Sequence, residues 1–219
     1  MSWVSGFVGF AYALAVAIVI ALAGPLLLFN PWFVSFEQQQ SEVAPAFGVD
    51  EAAVDDVTAK ILVDLYTHGD FNVSLQGGPA RPVPLLTDQE RSHMRDVSGL
   101  VRILAVVLAA AVVVVVVAGS RLRDRPRRGR LLLIAAGAVG AVAIVLAIVF
   151  AVAFEPAFLA FHTLFFPPGT YLFGPGSNLI KLFPERFWFE SSLAAGATIV
   201  VAALLAALRG RRLLREASG

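Results

Sequence analysis

The chain has 219 residues, of which 58% are apolar, and its mean hydropathy is +0.78. This composition excludes a soluble globular protein, because so much apolar surface must be buried largely against lipid. The absence of cysteine excludes disulfides, thiolate nucleophiles and iron–sulfur clusters. The formal net charge is only +1, so the distribution of charge along the chain is more informative than its total.

Four runs with few or no charged residues are each long enough to cross the ~30 Å hydrocarbon core of a bilayer as a helix. We assign these transmembrane helices to residues 5–29, 99–119, 131–154 and 187–208. The sequence therefore predicts an all-α membrane protein with four transmembrane helices and an extracytoplasmic cap of short helices and loops.

The segments between these helices differ in charge. The loop at 120–130 holds six arginines against one aspartate, and the tail at 209–219 is also rich in arginine. Short arginine-rich segments stay in the cytoplasm. Residues 30–98 hold eleven of the sixteen acidic residues. We therefore predict cytoplasmic termini, with the acidic cap domain (30–98) and an aromatic lid (155–186) on the outer face.

Within the cap domain, a helix is predicted to begin after Asp50 and to end near His68. We expect Gly69 to take the left-handed conformation at this helix end. We expect His68 to interact favourably with the helix dipole in the last turn and to have no functional role. The residues at 77–84, rich in glycine and proline, are predicted to form a linker. The apolar stripe of the helix comprises Val54, Val57, Ile61, Leu62 and Leu65.

A second helix in this region begins with a capping box formed by Thr87 and Glu90, and it runs on into the second transmembrane helix. It carries His93 at the outer mouth of that span. Asp96 lies one turn later, where it can orient the imidazole ring or pair with Arg95.

The aromatic stretch at 158–189 is interrupted by prolines and glycines and contains His162. Such a composition is typical of a membrane interface, so we predict a re-entrant or surface-lying lid over a site that contains His162. The alternative is an aromatic belt with a bystander imidazole. Glu155 and Pro156 interrupt the third helix, which places His162 at the same membrane face as His93.

Two imidazoles near the lipid headgroups are suited to proton transfer, and lipid esters lie at that depth. Other uses stay open. Both rings could donate hydrogen bonds to backbone carbonyls freed by the prolines, clamp a haem, or bind a metal together with Glu155 and Glu190.

Two blocks of sequence resemble the lipoprotein intramolecular transacylases of Gram-positive bacteria, which are four-span membrane proteins. The first is LTDQERSHMRDV at 86–97, and the second begins with His162-x-x-Phe-Phe and continues to Trp188. The similarity covers most of the chain in order. Two positions depart from the family pattern, because Asn178 stands where an aspartate is expected and Tyr171 where tryptophan is common.

The resemblance implies an acyltransferase of the bacterial cytoplasmic membrane with its active site at the outer face. It would move the sn-2 acyl chain of a diacylglyceryl lipoprotein to the α-amino group of the lipoprotein's own N-terminal cysteine, giving the lyso form. The expected partners are this lipoprotein and membrane lipid, with no nucleic acid, metal or cofactor. The resemblance makes His93 and His162 the catalytic residues, with supporting residues at Arg95, Asp96, Tyr171 and Asn178.

Two alternatives from other functional classes remain open. The chain could be a non-catalytic membrane partner or sensor protein that binds another protein through its acidic cap, or a haem- or metal-binding membrane protein.

Overall fold

The computed structural model describes residues 2–75 and 84–217, so nearly all of the predicted linker at 77–84 lies outside the described residues. The described ranges contain helices and no strand, which confirms the all-α prediction. The helices are α1 (Ser2–Leu28), α2 (Pro31–Gln40), α3 (Val43–Phe47), α4 (Glu51–Thr67), α5 (Asp88–Arg121), α6 (Arg125–Val152), α7 (Phe154–Phe165), α8 (Asn178–Leu182) and α9 (Glu185–Arg215).

Four of the described helices, α1, α5, α6 and α9, are long and apolar enough to cross a membrane. They also expose large apolar side chains, such as Val106 (69% exposed) and Leu205 (63%). Continuous exposed apolar surface of this kind is stable only against lipid. The predicted four-span architecture is therefore confirmed, while the residues at which each helix enters the bilayer stay predictions.

The chain divides into two compact units. The first unit comprises Met1–Leu27, Leu104–Ile148 and Ala194–Gly219, and the second comprises Leu28–Ile103 and Val149–Leu193. Each unit has a hydrophobic core of its own. Both histidines of the predicted site belong to the second unit.

In the first unit, α6 and α9 come into backbone contact at two glycines. A Cβ atom on Gly129 would lie 2.7 Å from the carbonyl oxygen of Gly210, and a Cβ on Gly210 would lie 2.8 Å from that of Gly129. Backbone atoms cannot move aside as the end of a flexible side chain can. Only glycine at both positions therefore allows this close crossing. The predicted loop at 120–130 is shorter in the structure, because α5 runs to Arg121 and α6 begins at Arg125. Arg125 Nη1 lies 3.8 Å from Glu216 Oε2, so the arginine-rich segment and the tail lie side by side.

We expect Gly210→Ala to lower the thermal unfolding temperature in detergent, because the new methyl group forces the two helices apart at a cost of about 1–3 kcal/mol. Gly137→Ala is the matched control on α6, since a Cβ there meets nothing within 4 Å. Equal unfolding temperatures for the two variants would contradict the close crossing.

In the second unit, helix starts are fixed by local side-chain caps. Asn30 Oδ1 accepts a hydrogen bond from the Phe33 amide (3.1 Å), and Asp50 Oδ1 accepts one from the Ala53 amide (2.8 Å). The cap at Asp50 confirms the predicted start of α4. The predicted apolar stripe of α4 is buried at every position, namely Val54, Val57, Ile61, Leu62 and Leu65.

The prediction that Gly69 takes the left-handed conformation at the end of α4 was wrong. His68 takes it, with a φ of 59°. Gly69 serves a different purpose, because a Cβ there would lie 2.0 Å from Oδ1 of Asp64. The other oxygen of that carboxylate accepts a hydrogen bond from the Phe71 amide (2.9 Å). The glycine thus makes room for the carboxylate that holds the chain after the helix.

A buried amide joins three helices of this unit. Gln38 is 1% exposed, and its Nε2 donates to the carbonyl oxygen of Leu182 (3.0 Å) while its Oε1 accepts from Thr58 Oγ1 (2.8 Å). Both ends of the amide are therefore satisfied, which is the condition under which a buried polar group does not destabilise the core. Gln38 therefore ties α8, which lies within the aromatic lid (155–186), to α2 and α4.

A second buried polar group on α2 is less well satisfied. Glu37 is 5% exposed, and its Oε2 has no hydrogen-bond partner among the described residues. Burial, a hydrogen bond with the Glu190 carboxyl group and repulsion from it raise the pKa of Glu37 to about 7, against an opposing effect of Arg186. The folded state therefore holds a proton on Glu37 that the unfolded chain would release above about pH 4.5.

Because the folded pKa of Glu37 is raised, its contribution to stability is complete below the unfolded pKa and is lost as the pH rises through about 7. We expect Glu37→Gln, which keeps the shape and cannot ionise, to weaken the fall in unfolding temperature between about pH 4.5 and about pH 7. Thermal unfolding of both proteins across that range measures this. The exposed Glu42→Gln is the control, and a fall of equal size in wild type and Glu37→Gln would contradict the assignment.

Candidate active site

His93 lies near the beginning of α5, where a capping box starts the helix. The Thr87 amide donates to Glu90 Oε2 (2.7 Å), and the Glu90 amide donates in return to Thr87 Oγ1 (3.3 Å), which confirms the predicted box. The His93 side chain is 6% exposed. Its Nδ1 atom is buried and has no hydrogen-bond partner among the described residues. A buried ring nitrogen without a partner is costly, and a bound substrate group could supply the missing one.

His162 lies in the last turn of α7, which begins after the chain breaks from helical geometry at Ala153. Its Nδ1 lies 2.8 Å from the carbonyl oxygen of Phe158. A carbonyl oxygen can only accept, so the contact places a proton on Nδ1. In the neutral ring the other nitrogen, Nε2, then carries a lone pair and can accept a proton.

The two imidazole rings face each other. Their centroids are 5.9 Å apart, and the ring planes differ by 27°. The fold therefore brings together two histidines that lie far apart in the sequence. Phe166 contacts both rings, with its centroid 4.9 Å from that of His93 and 5.5 Å from that of His162.

Aromatic side chains form the walls around the histidine pair. Phe173 lies 5.6 Å from His93, and Phe158 and Tyr171 lie 4.2 Å and 5.3 Å from His162, between ring centroids. Burial among these rings lowers the pKa of His162, and the hydrogen bond to Phe158 offsets part of this effect. The ring is therefore neutral at pH 7, which is the state in which it can act as a base.

Of the predicted supporting residues, Tyr171 is the one that contacts a histidine ring. Its hydroxyl oxygen also lies 3.2 Å from Thr163 Oγ1. Arg95 and Asp96 stand on α5 close to His93 in sequence. Their side chains form no hydrogen bond or ion pair with any other residue that the structure describes. Their predicted roles stay predictions.

Asn178 begins α8 and does not orient a histidine. Its Nδ2 donates to the carbonyl oxygen of Leu85 (2.8 Å). An aspartate here would oppose two acceptors, a carboxylate and a carbonyl, with no proton between them. This gives a physical reason for an amide, rather than a carboxylate, at this position.

Sequence reasoning missed two features of the site. Phe166 and Phe173 were not singled out as walls of the His93 pocket, since nothing in the spacing of an aromatic-rich stretch distinguishes the rings that turn inward. The second contact of Glu90, to Ser177 and Leu179 at the end of the lid, was also missed. Its partners are too distant in sequence for any local pattern to indicate it.

The described residues contain no group of three or more His, Asp or Glu side chains arranged to hold a metal ion. The alternative of a metal site made of both histidines with Glu155 and Glu190 therefore has no support among the described residues. Instead, Glu190 pairs with Arg186 (2.9 Å), which is also on α9, and with Glu37 on α2.

Comparison with known proteins agrees with this architecture. A family model described as lipoprotein intramolecular transacylase Lit matches residues 8–188. No curated protein matches the chain. Among solved structures, the membrane integral lipoprotein intramolecular transacylase Lit from Bacillus cereus superposes with a TM-score of 0.80 at 18% identity, over 100% of this chain and 99% of its own.

Two further structures of the Bacillus cereus protein carry a mutation of one histidine, to arginine and to alanine. Each superposes with a TM-score of 0.77 at 18% identity, over 99% of this chain and 95% or 96% of its own. At this identity the structures show the fold alone. The family model spans most of the chain and includes both histidines of the site, and on that ground the chain belongs to the lipoprotein intramolecular transacylase family.

Proposed function

We propose that this protein moves the sn-2 acyl chain of a diacylglyceryl lipoprotein to the α-amino group of the lipoprotein's N-terminal cysteine, with His162 as base and His93 as acid. The observation that carries the proposal is the facing pair of histidines, with one tautomer set by the carbonyl of Phe158. Membership of the transacylase family supports the reaction class.

The reaction needs one proton to pass from nitrogen to oxygen. The amine nitrogen attacks the ester carbonyl carbon, and Nε2 of His162 takes the proton that the nitrogen loses. The bond between the carbonyl carbon and the glyceryl oxygen then breaks, and His93 gives its ring proton to that oxygen. Passage of one proton from His162 to His93 restores both neutral rings, so the products are an amide and an alcohol.

The environment of the pair suits this exchange. An α-amino group has a pKa of about 8, and a neutral imidazole is a well-matched base for it. Amine and ester belong to one molecule, so holding them in an attacking geometry can contribute ~7 to 11 kcal/mol toward the barrier. No covalent acyl-enzyme is required, in agreement with a chain that lacks cysteine.

His162→Asn should lower the transfer rate by about two orders of magnitude or more, because the amide keeps a donor for the Phe158 carbonyl but cannot carry a proton. Mass spectrometry of the N-terminal lipopeptide, before and after incubation with the purified protein, measures the conversion of diacyl to lyso form. The unfolding temperature should stay near that of wild type.

His68→Asn is the matched control. His68 is the third histidine, it is exposed, and its left-handed backbone conformation is one that asparagine adopts readily. This variant should transfer acyl chains at the wild-type rate. If His162→Asn folds and also works at the wild-type rate, His162 has no part in the mechanism.

We further propose that the site lies at the outer face of the bacterial cytoplasmic membrane and that both termini are cytoplasmic. The support is the arginine-rich loop at 120–130, which neighbours the arginine-rich tail through Arg125 and Glu216. His93 lies near the beginning of α5 and Arg121 ends it. The two ends of a helix that crosses a membrane face opposite sides.

Because the chain has no cysteine, single introduced cysteines report the orientation directly. A membrane-impermeant maleimide should label Asp70→Cys in intact cells, and should label Ser120→Cys only after lysis. Both positions are exposed, so accessibility to solvent does not separate them. Labelling of Ser120→Cys in intact cells would reverse the assigned orientation.

A further inference from the structure

The second unit contains a buried carboxylate, that of Glu90. It is 2% exposed and lies one helical turn before His93 on α5. Its Oε2 accepts from the amide and the hydroxyl of Thr87 (2.7 and 2.9 Å). Its Oε1 accepts from the Ser177 hydroxyl and from the Leu179 amide (3.0 Å). Four donors thus converge on two oxygens.

Only half of this arrangement belongs to the helix cap. A capping box is complete when the glutamate bonds back to the start of its own helix, as Oε2 does with Thr87. The contacts of Oε1 go to a distant segment, the beginning of α8, where Ser177 also caps the helix by accepting from the Ile180 amide (3.2 Å). The capping function therefore does not account for them.

The contacts of Oε1 hold the downstream end of residues 166–177, the part of the aromatic lid that lies between α7 and α8. Between α7 and Ser177 the chain carries three rings that surround the histidines, Phe166, Tyr171 and Phe173. This stretch has no helix of its own, and its upstream end is fixed by α7. Its downstream end is fixed to α5 by Glu90 and, one residue later, by Asn178 on the Leu85 carbonyl.

We propose that Glu90 is a positioning residue of the active site, whose Oε1 anchors the end of the lid to α5 so that the three rings close over the histidine pair. The inference rests on the proposed function and adds to it a residue that touches neither substrate nor histidine. The carboxylate acts through the lid, and the aromatic walls in turn keep the His162 ring desolvated and hold both rings in place.

The substitution that tests this is Glu90→Gln. Glutamine has the same size, but an NH₂ group replaces one of the two accepting oxygens. This group cannot accept hydrogen bonds, so either the contacts with Thr87 or those with Ser177 and Leu179 are lost. Ser177→Ala is the milder variant, since it removes one donor to Oε1 and leaves the Thr87 contacts intact. It keeps the test open if Glu90→Gln does not fold. Asp50→Ala is the control, because the helix cap that it removes is a local hydrogen bond in the same unit, between Asp50 and the Ala53 amide.

The primary measurement is the titration of the His162 ring by nuclear magnetic resonance, in full-length protein labelled at histidine. His162→Asn assigns its signal among the three histidines. The titratable groups against this ring are His93 and Tyr171. If the lid loosens, water reaches the ring, so Glu90→Gln and Ser177→Ala should move the His162 titration upward, toward about 6.5. Asp50→Ala should lower the unfolding temperature and leave the titration in place.

The acyl-transfer rate is the second measurement. We expect it to fall about tenfold or more in Glu90→Gln, because displaced aromatic rings no longer hold the two histidines in the geometry that the transfer needs. An unchanged titration in folded Glu90→Gln and Ser177→Ala overturns the proposal, as does an equal upward shift in Asp50→Ala. A wild-type protein that leaves diacyl lipoprotein unchanged would refute the proposed function. The ring titration needs no turnover, so it still decides the role of Glu90 in that case.

Discussion

The buried carboxylate of Glu90 joins two segments that lie 87 residues apart in the chain, and the geometry of the histidine site depends on it. A charge with 2% exposure is tolerated only where hydrogen bonds replace the lost water, and four donors do so here. The dependence is mutual, because each donor is also a backbone or capping group that would itself be left without an acceptor. Removal of one partner therefore leaves the other unsatisfied, at a cost of about 1–3 kcal/mol for each buried group.

The chemistry of the site follows from what this anchor encloses. Aromatic rings exclude water without offering charges, so they favour neutral imidazoles over imidazolium ions. The hydrogen bond from His162 Nδ1 to the Phe158 carbonyl lies within one turn of α7, and it gives the two nitrogens of that ring different roles. Among the described residues His93 has no such partner at Nδ1. This asymmetry between the two residues is the basis for assigning them different parts in the reaction.

The second unit contains another buried acid, Glu37, whose surroundings differ from those of Glu90. Glu90 is surrounded by donors, whereas Glu37 meets the carboxyl group of Glu190 and has one oxygen with no partner in the part of the chain that the structure describes. Similar burial therefore has opposite consequences for the two acids, since donors stabilise the ionised form and a neighbouring carboxyl group favours the protonated one.

In the first unit, the close crossing of α6 and α9 depends on the absence of side chains at Gly129 and Gly210.

The amino-acid sequence by itself determined the all-α class, the four long apolar helices, the cap of α4 at Asp50, its buried stripe and the capping box at Thr87. These features depend on the length of apolar runs or on hydrogen bonds between residues three or four apart, which helix geometry fixes. Even locally it failed at the end of α4, where a side-chain contact of Asp64 decided which residue took the left-handed conformation. Only the tertiary structure decided that His93 and His162 face each other at 5.9 Å, which rings enclose them, and that Glu90 holds the lid. The physical reason is that such contacts join residues far apart in the chain, and packing, rather than any local periodicity, selects which side chains meet.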